Sequence, residues 1–143
     1  MFHGGFIFVY NAFGYIQVWH KFIFSANDTV KSKLLYERDV ANYGVCIQGY
    51  HTDNGVFTSK YFMVALIEKY QHIQFSGSGA DHHNGVAECG IQTVIQMDWT
   101  MLIRYSMRSP QGNITAELWP MAIDHVVWLY NGIPRKDSGM SKY

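Results

Sequence analysis

The chain has 143 residues and a mass of 16.5 kDa, enough for one domain with a single substantial core. Hydrophobic residues make up 48% of it and charged residues 15%, which excludes a disordered chain. The 11 Lys and Arg residues balance the 11 Asp and Glu residues, so the formal net charge is zero. Because duplex binding is mostly phosphate neutralisation by Lys and Arg, a neutral domain is expected to hold DNA weakly.

Segment length and cysteine usage narrow the class of protein further. No apolar run is long enough to cross a bilayer, and residues 1–5 lack the basic region and cleavage site of a secretory signal. Cys46 and Cys89 make neither a disulfide framework nor a CxxC ligand pair, and Cys46 is expected to be a small buried residue in a strand. We therefore expect a soluble intracellular domain.

Hydrophobic periodicity predicts an alternation of strands and helices. An apolar run, a turn at Asn11 to Gly14 and a second alternating run predict a hairpin, and Ser25 to Asp28 can cap the helix that follows. The predicted elements, in chain order, are strands 5–10 and 15–24, helix 28–43, strand 45–51, helix 58–70, strand 72–75 and helices 84–107 and 117–130. Their order predicts an α/β sandwich with a mixed central sheet.

Two of these helices have a predicted apolar stripe, and the last is apolar on most faces, so we expect it to be largely buried. The inward residues predicted for the first helix are Val30, Leu34, Leu35, Val40 and Ala41. The stripe predicted for helix 84–107 consists of Val86, Ile91, Val94, Ile95, Leu102 and Ile103.

Two carboxylates stand at the ends of predicted elements. Asp53 follows a strand and precedes an Asn54-Gly55 turn, and Glu88 lies in the first turns of helix 84–107. Ligands gather at the carboxyl ends of strands in open α/β sheets, and carboxylate oxygens suit Mg²⁺ or Mn²⁺. Taken singly, the Asp is as well explained as a turn residue and the Glu as a helix cap.

The sequence segments around these carboxylates resemble the catalytic core of retroviral and copia-type retrotransposon integrases, in the RNase H-like polynucleotidyl transferase superfamily. The resemblance covers residues 5–135, and its four segments stand in the family's order. They are FIFVYNAFGYIQV at 6–18, YHTDNGVFTSKYF at 50–62, HHNGVAECGIQTV at 82–94 and LWPMAIDHVVWLYNGIPR at 118–135.

This resemblance implies an N-terminally truncated RNase H-like three-layer α/β sandwich, as one domain over residues 1–143 with a loose tail at about 136–143. Three carboxylates of the family hold two divalent metals across a phosphodiester. Here Asp53 and Glu88 would be catalytic residues and ligands of Mg²⁺ or Mn²⁺. The expected partners are DNA, the rest of a larger polyprotein and a second copy of the chain. The expected location is intracellular, and nuclear if the substrate is chromosomal DNA. The residues expected to contact DNA are Asn54, His82, His83, Asn84 and Gln92.

The chain also departs from the family. No carboxylate side chain precedes Asp28, so no residue matches the family's first Asp, and Asp28 and Asp39 fall in the first predicted helix. Cys89-Gly90 stands where the copia-type pattern has a basic residue. We therefore expect impaired DNA integration, with a catalytically dead RNase H-like nucleic-acid-binding or dimerisation module as the alternative. Asp81, in the loop before Glu88, is a further candidate to replace the missing carboxylate. The coding sequence upstream of Met1 would show whether the first Asp is present there.

Overall fold

The computed structural model of the chain describes residues 4–22, 25–53, 55–76, 85–109, 117–134, 136 and 138–142. The elements, in chain order, are β1 (Gly4–Tyr10), β2 (Tyr15–Lys21), α1 (Ala26–Ala41), β3 (Gly49–Thr52), a 3₁₀ turn (Val56–Thr58), α2 (Lys60–Ile67), β4 (His72–Phe75), α3 (Gly85–Arg108) and α4 (Trp119–Gly132). None of these helices combines the length and apolarity that a membrane span requires.

The elements form two compact units. The hairpin unit contains β1, β2, α3 from Val86 onward and α4, and the Asp53 unit contains α1, β3, α2 and β4. In the described residues β1 and β2 form an antiparallel two-stranded sheet, and β3 and β4 form a separate parallel one. The single domain over residues 1–143 stays a prediction.

The hairpin unit is built around one face of the β1–β2 ladder. Gly14, with φ of 65°, closes the hairpin turn, and its N–H donates to the Tyr10 carbonyl at 2.7 Å. Ile7 pairs with Val18 and Val9 with Ile16, so these four side chains share one face. That face packs against side chains of α3 and α4; the buried members of this core are Ile16, Val94, Val126 and Val127.

Asn131 and Gly90 place the helices of this unit closely on the hairpin. Asn131 of α4 is 2% exposed; its Oδ1 accepts from the Ile16 N–H at 3.0 Å, and its Nδ2 donates to the Ile16 carbonyl at 2.7 Å. Gly90 of α3 is buried, and a Cβ there would lie 3.1 Å from Val9 and 3.2 Å from Ile16. The absence of a side chain at Gly90 therefore permits the close approach of α3 to the hairpin. This packing offsets the low helix propensity of glycine.

The end of the described chain also contacts α4. The Lys142 backbone N–H donates to the Asn131 carbonyl at 2.9 Å, and its Nζ donates to the Tyr130 carbonyl at 2.9 Å. Both bonds are made to carbonyls in the last turn of α4, where helix carbonyls need partners from outside the regular ladder.

In the Asp53 unit, two serines begin the helices. Ser25 Oγ accepts from the Asp28 N–H at 3.1 Å and Ser59 Oγ accepts from the Phe62 N–H at 3.4 Å, as helix caps do. Phe62 and Leu66 of α2 are fully buried. The parallel strands pair over four residues, from Gly49 with His72 to Thr52 with Phe75.

The buried face of α1 is largely polar, and the predicted inward set was wrong at Leu34 and Ala41, while Val30 and Leu35 are half-buried. Val40 is buried, whereas Leu34 is 43% exposed and Ala41 is exposed. The reason is that the buried face of the helix carries Lys33 and Glu37, the centre of a polar group that we call the Glu37 cluster. Its members are Glu37, Lys33, Tyr50, Lys69 and Gln71.

Three further expectations need correction. The predicted strand 45–51 is shorter and later, because β3 pairs over Gly49–Thr52, and Cys46 before it is exposed. α4 is not largely buried: Met121 is 70% and Trp128 61% exposed, since the helix packs through one side. On α3, Val94 is fully buried, whereas three members of the predicted stripe are exposed: Val86, Ile95 and Ile103.

Candidate functional site

Asp53 lies directly after β3 and is exposed. Side chains alternate along this strand end: His51 is exposed, Thr52 is 8% exposed and Asp53 is exposed again. His51 and Asp53 therefore point to the same outward side, as residues two positions apart on a strand do.

A local turn orients the Asp53 carboxylate. The Gly55 N–H donates to Asp53 Oδ1 at 3.4 Å, a long hydrogen bond of the Asx-turn type. A carboxylate has about four acceptor positions, so this bond leaves most of them available to a ligand. Asn54, predicted to contact DNA, lies outside the described residues. The turn role and a ligand role for Asp53 are therefore compatible.

The carboxyl ends of β3 and β4 meet at this edge. The Ser76 N–H, just after β4, donates to the Thr52 carbonyl at 2.9 Å and extends the ladder by one bond. The His51 ring Nε2 lies 3.1 Å from Ser76 Oγ. Ser76 was missed as a site residue, although it follows β4 as Asp53 follows β3. Carboxylate, imidazole and hydroxyl thus stand together where parallel strands end, the usual place for a ligand.

Glu88 lies in the first turn of α3 and is exposed. A negative side chain there is stabilised by the positive end of the helix dipole. Gln92 lies one turn further along the same face and is also exposed, followed by Ile95 and by Trp99, which is 62% exposed. This face presents an amide and apolar side chains to solvent.

The two carboxylates belong to different units, Asp53 to the Asp53 unit and Glu88 to the hairpin unit, so their convergence stays a prediction. Within the described part of the chain, no three His, Cys, Asp or Glu side chains are grouped closely enough to hold a metal ion. The other expected contact residues, His82, His83 and Asn84, lie outside the described residues, as does Asp81.

Asp28 and Asp39 lie in α1, as predicted, and both are engaged there. Ser25 Oγ donates to Asp28 Oδ2 at 2.6 Å, and Arg38 lies 3.2 Å from Asp39 Oδ1. These contacts identify Asp28 as part of the helix start and Asp39 as part of a surface ion pair.

The donor chemistry of Asp53 and Glu88 fits a hard divalent cation. Both offer exposed carboxylate oxygens, which Mg²⁺ and Mn²⁺ prefer over softer ligands. Mg²⁺ also keeps several water ligands and is commonly bound through one or two carboxylates together with substrate phosphates.

Comparison with known proteins bears on the fold. Neither a protein-family model nor a curated protein matches the chain. Among solved structures, a chain of the simian T-cell lymphotropic virus intasome in complex with PP2A regulatory subunit B56 gamma matches with a TM-score of 0.68 and 18% identity, over 94% of this chain and 45% of that one. The HTLV-2 integrase catalytic core domain in complex with magnesium matches in its trimeric form (TM-score 0.62, 17% identity, 96% of this chain and 88% of that one) and in its dimeric form (0.60, 18%, 97% and 90%).

This chain has the fold of a retroviral integrase catalytic core. The predicted RNase H-like α/β class is thereby confirmed. The chain spans less than half of the intasome chain and most of the HTLV-2 core domain. At 17–18% identity the likeness establishes the fold, and the copia-type assignment stays a prediction.

Proposed function

We propose that the chain is the catalytic core of a copia-type retrotransposon integrase, which acts on DNA by metal-dependent polynucleotidyl transfer as part of a larger polyprotein. The observation that carries this proposal is the exposed Asp53 at the carboxyl end of β3, in a fold shared with a core domain solved in complex with magnesium. Glu88, in the first turn of α3, is the second proposed catalytic residue.

The roles of the residues follow from charge. Asp53 and Glu88 would hold Mg²⁺ or Mn²⁺, and Gly55 would keep the Asp53 carboxylate oriented through its N–H. A bound divalent cation supplies Lewis-acid stabilisation of the phosphodiester and of the attacking hydroxyl. Two bare carboxylates would repel a DNA phosphate, so the phosphate approaches these side chains with the cation present. Gln92, one turn from Glu88, could donate a neutral hydrogen bond to the strand.

The partners proposed are DNA and a second copy of the chain. The HTLV-2 core is solved in dimeric and trimeric forms, and the intasome match is a structure of an integration assembly. These neighbours support self-association here without identifying the surface. The protein would be intracellular, and nuclear if its target is chromosomal DNA.

The test is a DNA nicking and strand-transfer assay of the 143-residue chain with Mn²⁺. We expect weak activity, because these residues contain no carboxylate before Asp28 and the family's three-carboxylate set is incomplete. Asp53→Asn or Glu88→Gln should lower the remaining rate about a hundredfold, since each removes charge that holds the metal. Mn²⁺ binding, followed by electron paramagnetic resonance, should weaken in parallel.

Glu68→Gln is the matched control, because Glu68 is exposed on another helix end and should be neutral in both assays. Rates and Mn²⁺ affinities equal to wild type in both carboxylate variants would refute the proposal. A folded, self-associating chain without Mn²⁺ binding would instead favour the catalytically dead module.

A further inference from the structure

The Glu37 carboxylate joins the two strands that form the candidate site. Its Oε1 accepts from the Tyr50 hydroxyl of β3 at 2.7 Å and from the Gln71 side chain, immediately before β4, at 2.7 Å. Gln71 Nε2 also donates to the carbonyl of Ile47, just before β3, at 2.9 Å. One buried side chain of α1 is therefore bonded both to β3 and to the residue that immediately precedes β4.

The charge of this carboxylate is matched by two lysines. Lys33 Nζ lies 2.8 Å from Oε1, and Lys69 Nζ donates to Oε2 at 2.6 Å. Glu37 is 8% exposed and Lys33 is fully buried. Hydrogen bonds to a charged group are shorter and stronger than neutral ones, so Tyr50 and Gln71 are held firmly.

The register of this short ladder decides where Asp53 points. Strands β3 and β4 pair over four residues, and Tyr50 and Thr52 face inward while His51 and Asp53 face outward. A slip of one residue would exchange the two faces and turn Asp53 toward the core. Four residue pairs give little resistance to such a slip by themselves. Fixing register is the best-attested use of a buried polar group.

We infer that Glu37 is a positioning residue that sets the register of β3 on β4 and thereby presents Asp53 outward. The inference rests on the proposed metal-binding role of Asp53, but the register it assigns can be measured separately. Glu37 acts through Tyr50 and Gln71 and is not itself a ligand of metal or DNA.

The experiment compares wild type, Glu37→Gln and Tyr50→Phe by NMR. Cross-strand contacts should report the four wild-type residue pairs, and Mn²⁺ titration should broaden the backbone amide signals around Asp53. In the variants we expect weakened or shifted cross-strand contacts and about a tenfold higher Mn²⁺ concentration for the same broadening, as for other groups that orient a ligand. Tyr50→Phe removes one hydroxyl and keeps the ring that contacts Phe62, so it tests the inference if Glu37→Gln does not fold.

Leu66→Ala is the control, because it removes a buried side chain of α2 and lowers stability without removing a hydrogen bond of the Glu37 cluster. It should leave register and Mn²⁺ response unchanged in the folded protein. Variants that are less stable but keep the four residue pairs and the wild-type Mn²⁺ response would overturn the inference and make Glu37 a purely stabilising residue. Wild type without any Mn²⁺ effect at Asp53 would refute the metal role, and the cross-strand contacts would still decide the register.

Discussion

Protonation of Glu37 should be linked to the stability of the Asp53 unit. Burial by itself would raise the pKa of Glu37, but the ion pair with Lys33 and the hydrogen bonds from Lys69, Tyr50 and Gln71 outweigh it and lower the pKa from 4.5 to about 2. A carboxyl with a lowered pKa stabilises the folded state above its unfolded pKa. That stabilisation is lost as the pH falls from about 4.5 through about 2.

We therefore predict that wild type loses up to about 3 kcal/mol of unfolding free energy relative to Glu37→Gln between pH 5 and pH 2. Urea unfolding at a series of pH values measures this difference. The exposed Glu68→Gln variant should follow the wild-type slope. If the stability of Glu37→Gln shows the same pH dependence as wild type, the contacts of Glu37 do not stabilise its ionised carboxylate.

This buried charge could not have been read from the sequence. A Lys and a Glu four residues apart on a helix normally form a solvent-exposed pair. Here the partners Tyr50, Lys69 and Gln71 come from 13, 32 and 34 residues away and enclose the carboxylate. By contrast, the position of Asp53 directly after a strand was predictable, because the apolar run before it and the Asn54-Gly55 turn after it are local signals.

At the level of elements, the packing of α3 on the hairpin depends on Gly90. A larger side chain would meet Val9 and Ile16 at 3.1–3.2 Å from its Cβ, before any further atom is added. We predict that Gly90→Val lowers the unfolding free energy by about 1–3 kcal/mol, because the overpacking outweighs the gain in helix propensity. Thermal and urea unfolding measure it.

Gly132→Val is the matched control near the end of α4, since nothing lies within 4 Å of a Cβ there. It should be close to neutral. A Gly90→Val variant as stable as wild type would mean that α3 can move away from Val9 and Ile16 at little cost.

The sequence predicted which helices and strands exist better than it predicted which of their faces are buried. The hairpin, the strand His72–Phe75 and the helix Gly85–Arg108 came within one to three residues of their predicted ends, because turn residues and periodicity act locally. The choice between Val94, fully buried, and Ile95, 43% exposed, depends on where the hairpin meets α3. Periodicity cannot supply that information for helices with apolar residues on several faces.

For the whole molecule, the balance of charge governs DNA binding. With a formal net charge of zero, we predict that the chain binds a duplex with a dissociation constant of about 10⁻⁵ M or weaker at 0.15 M salt, with a shallow salt dependence. Fluorescence anisotropy across a salt series measures both. Submicromolar binding with a steep slope would show that local charge clusters dominate over the net charge.

A single added cation would test the proposed DNA-facing side of α3. Gln92→Lys should tighten binding and increase the salt slope by about 0.9, the contribution of one phosphate contact. Gln48→Lys, at an exposed position of the Asp53 unit, should change the slope less. Equal changes in salt slope for Gln92→Lys and Gln48→Lys would indicate that DNA has no preference for the Gln92 face of α3.

The pairing of Asn131 with Ile16 has a consequence for association. Both backbone groups of Ile16 bond to the Asn131 amide, which mimics the peptide of a neighbouring strand. At that point the outer edge of β2 therefore has no backbone group left to template a strand from another molecule. The Asn131 carboxamide therefore disfavours edge-to-edge pairing of β2 with another molecule, in a chain with many exposed apolar side chains.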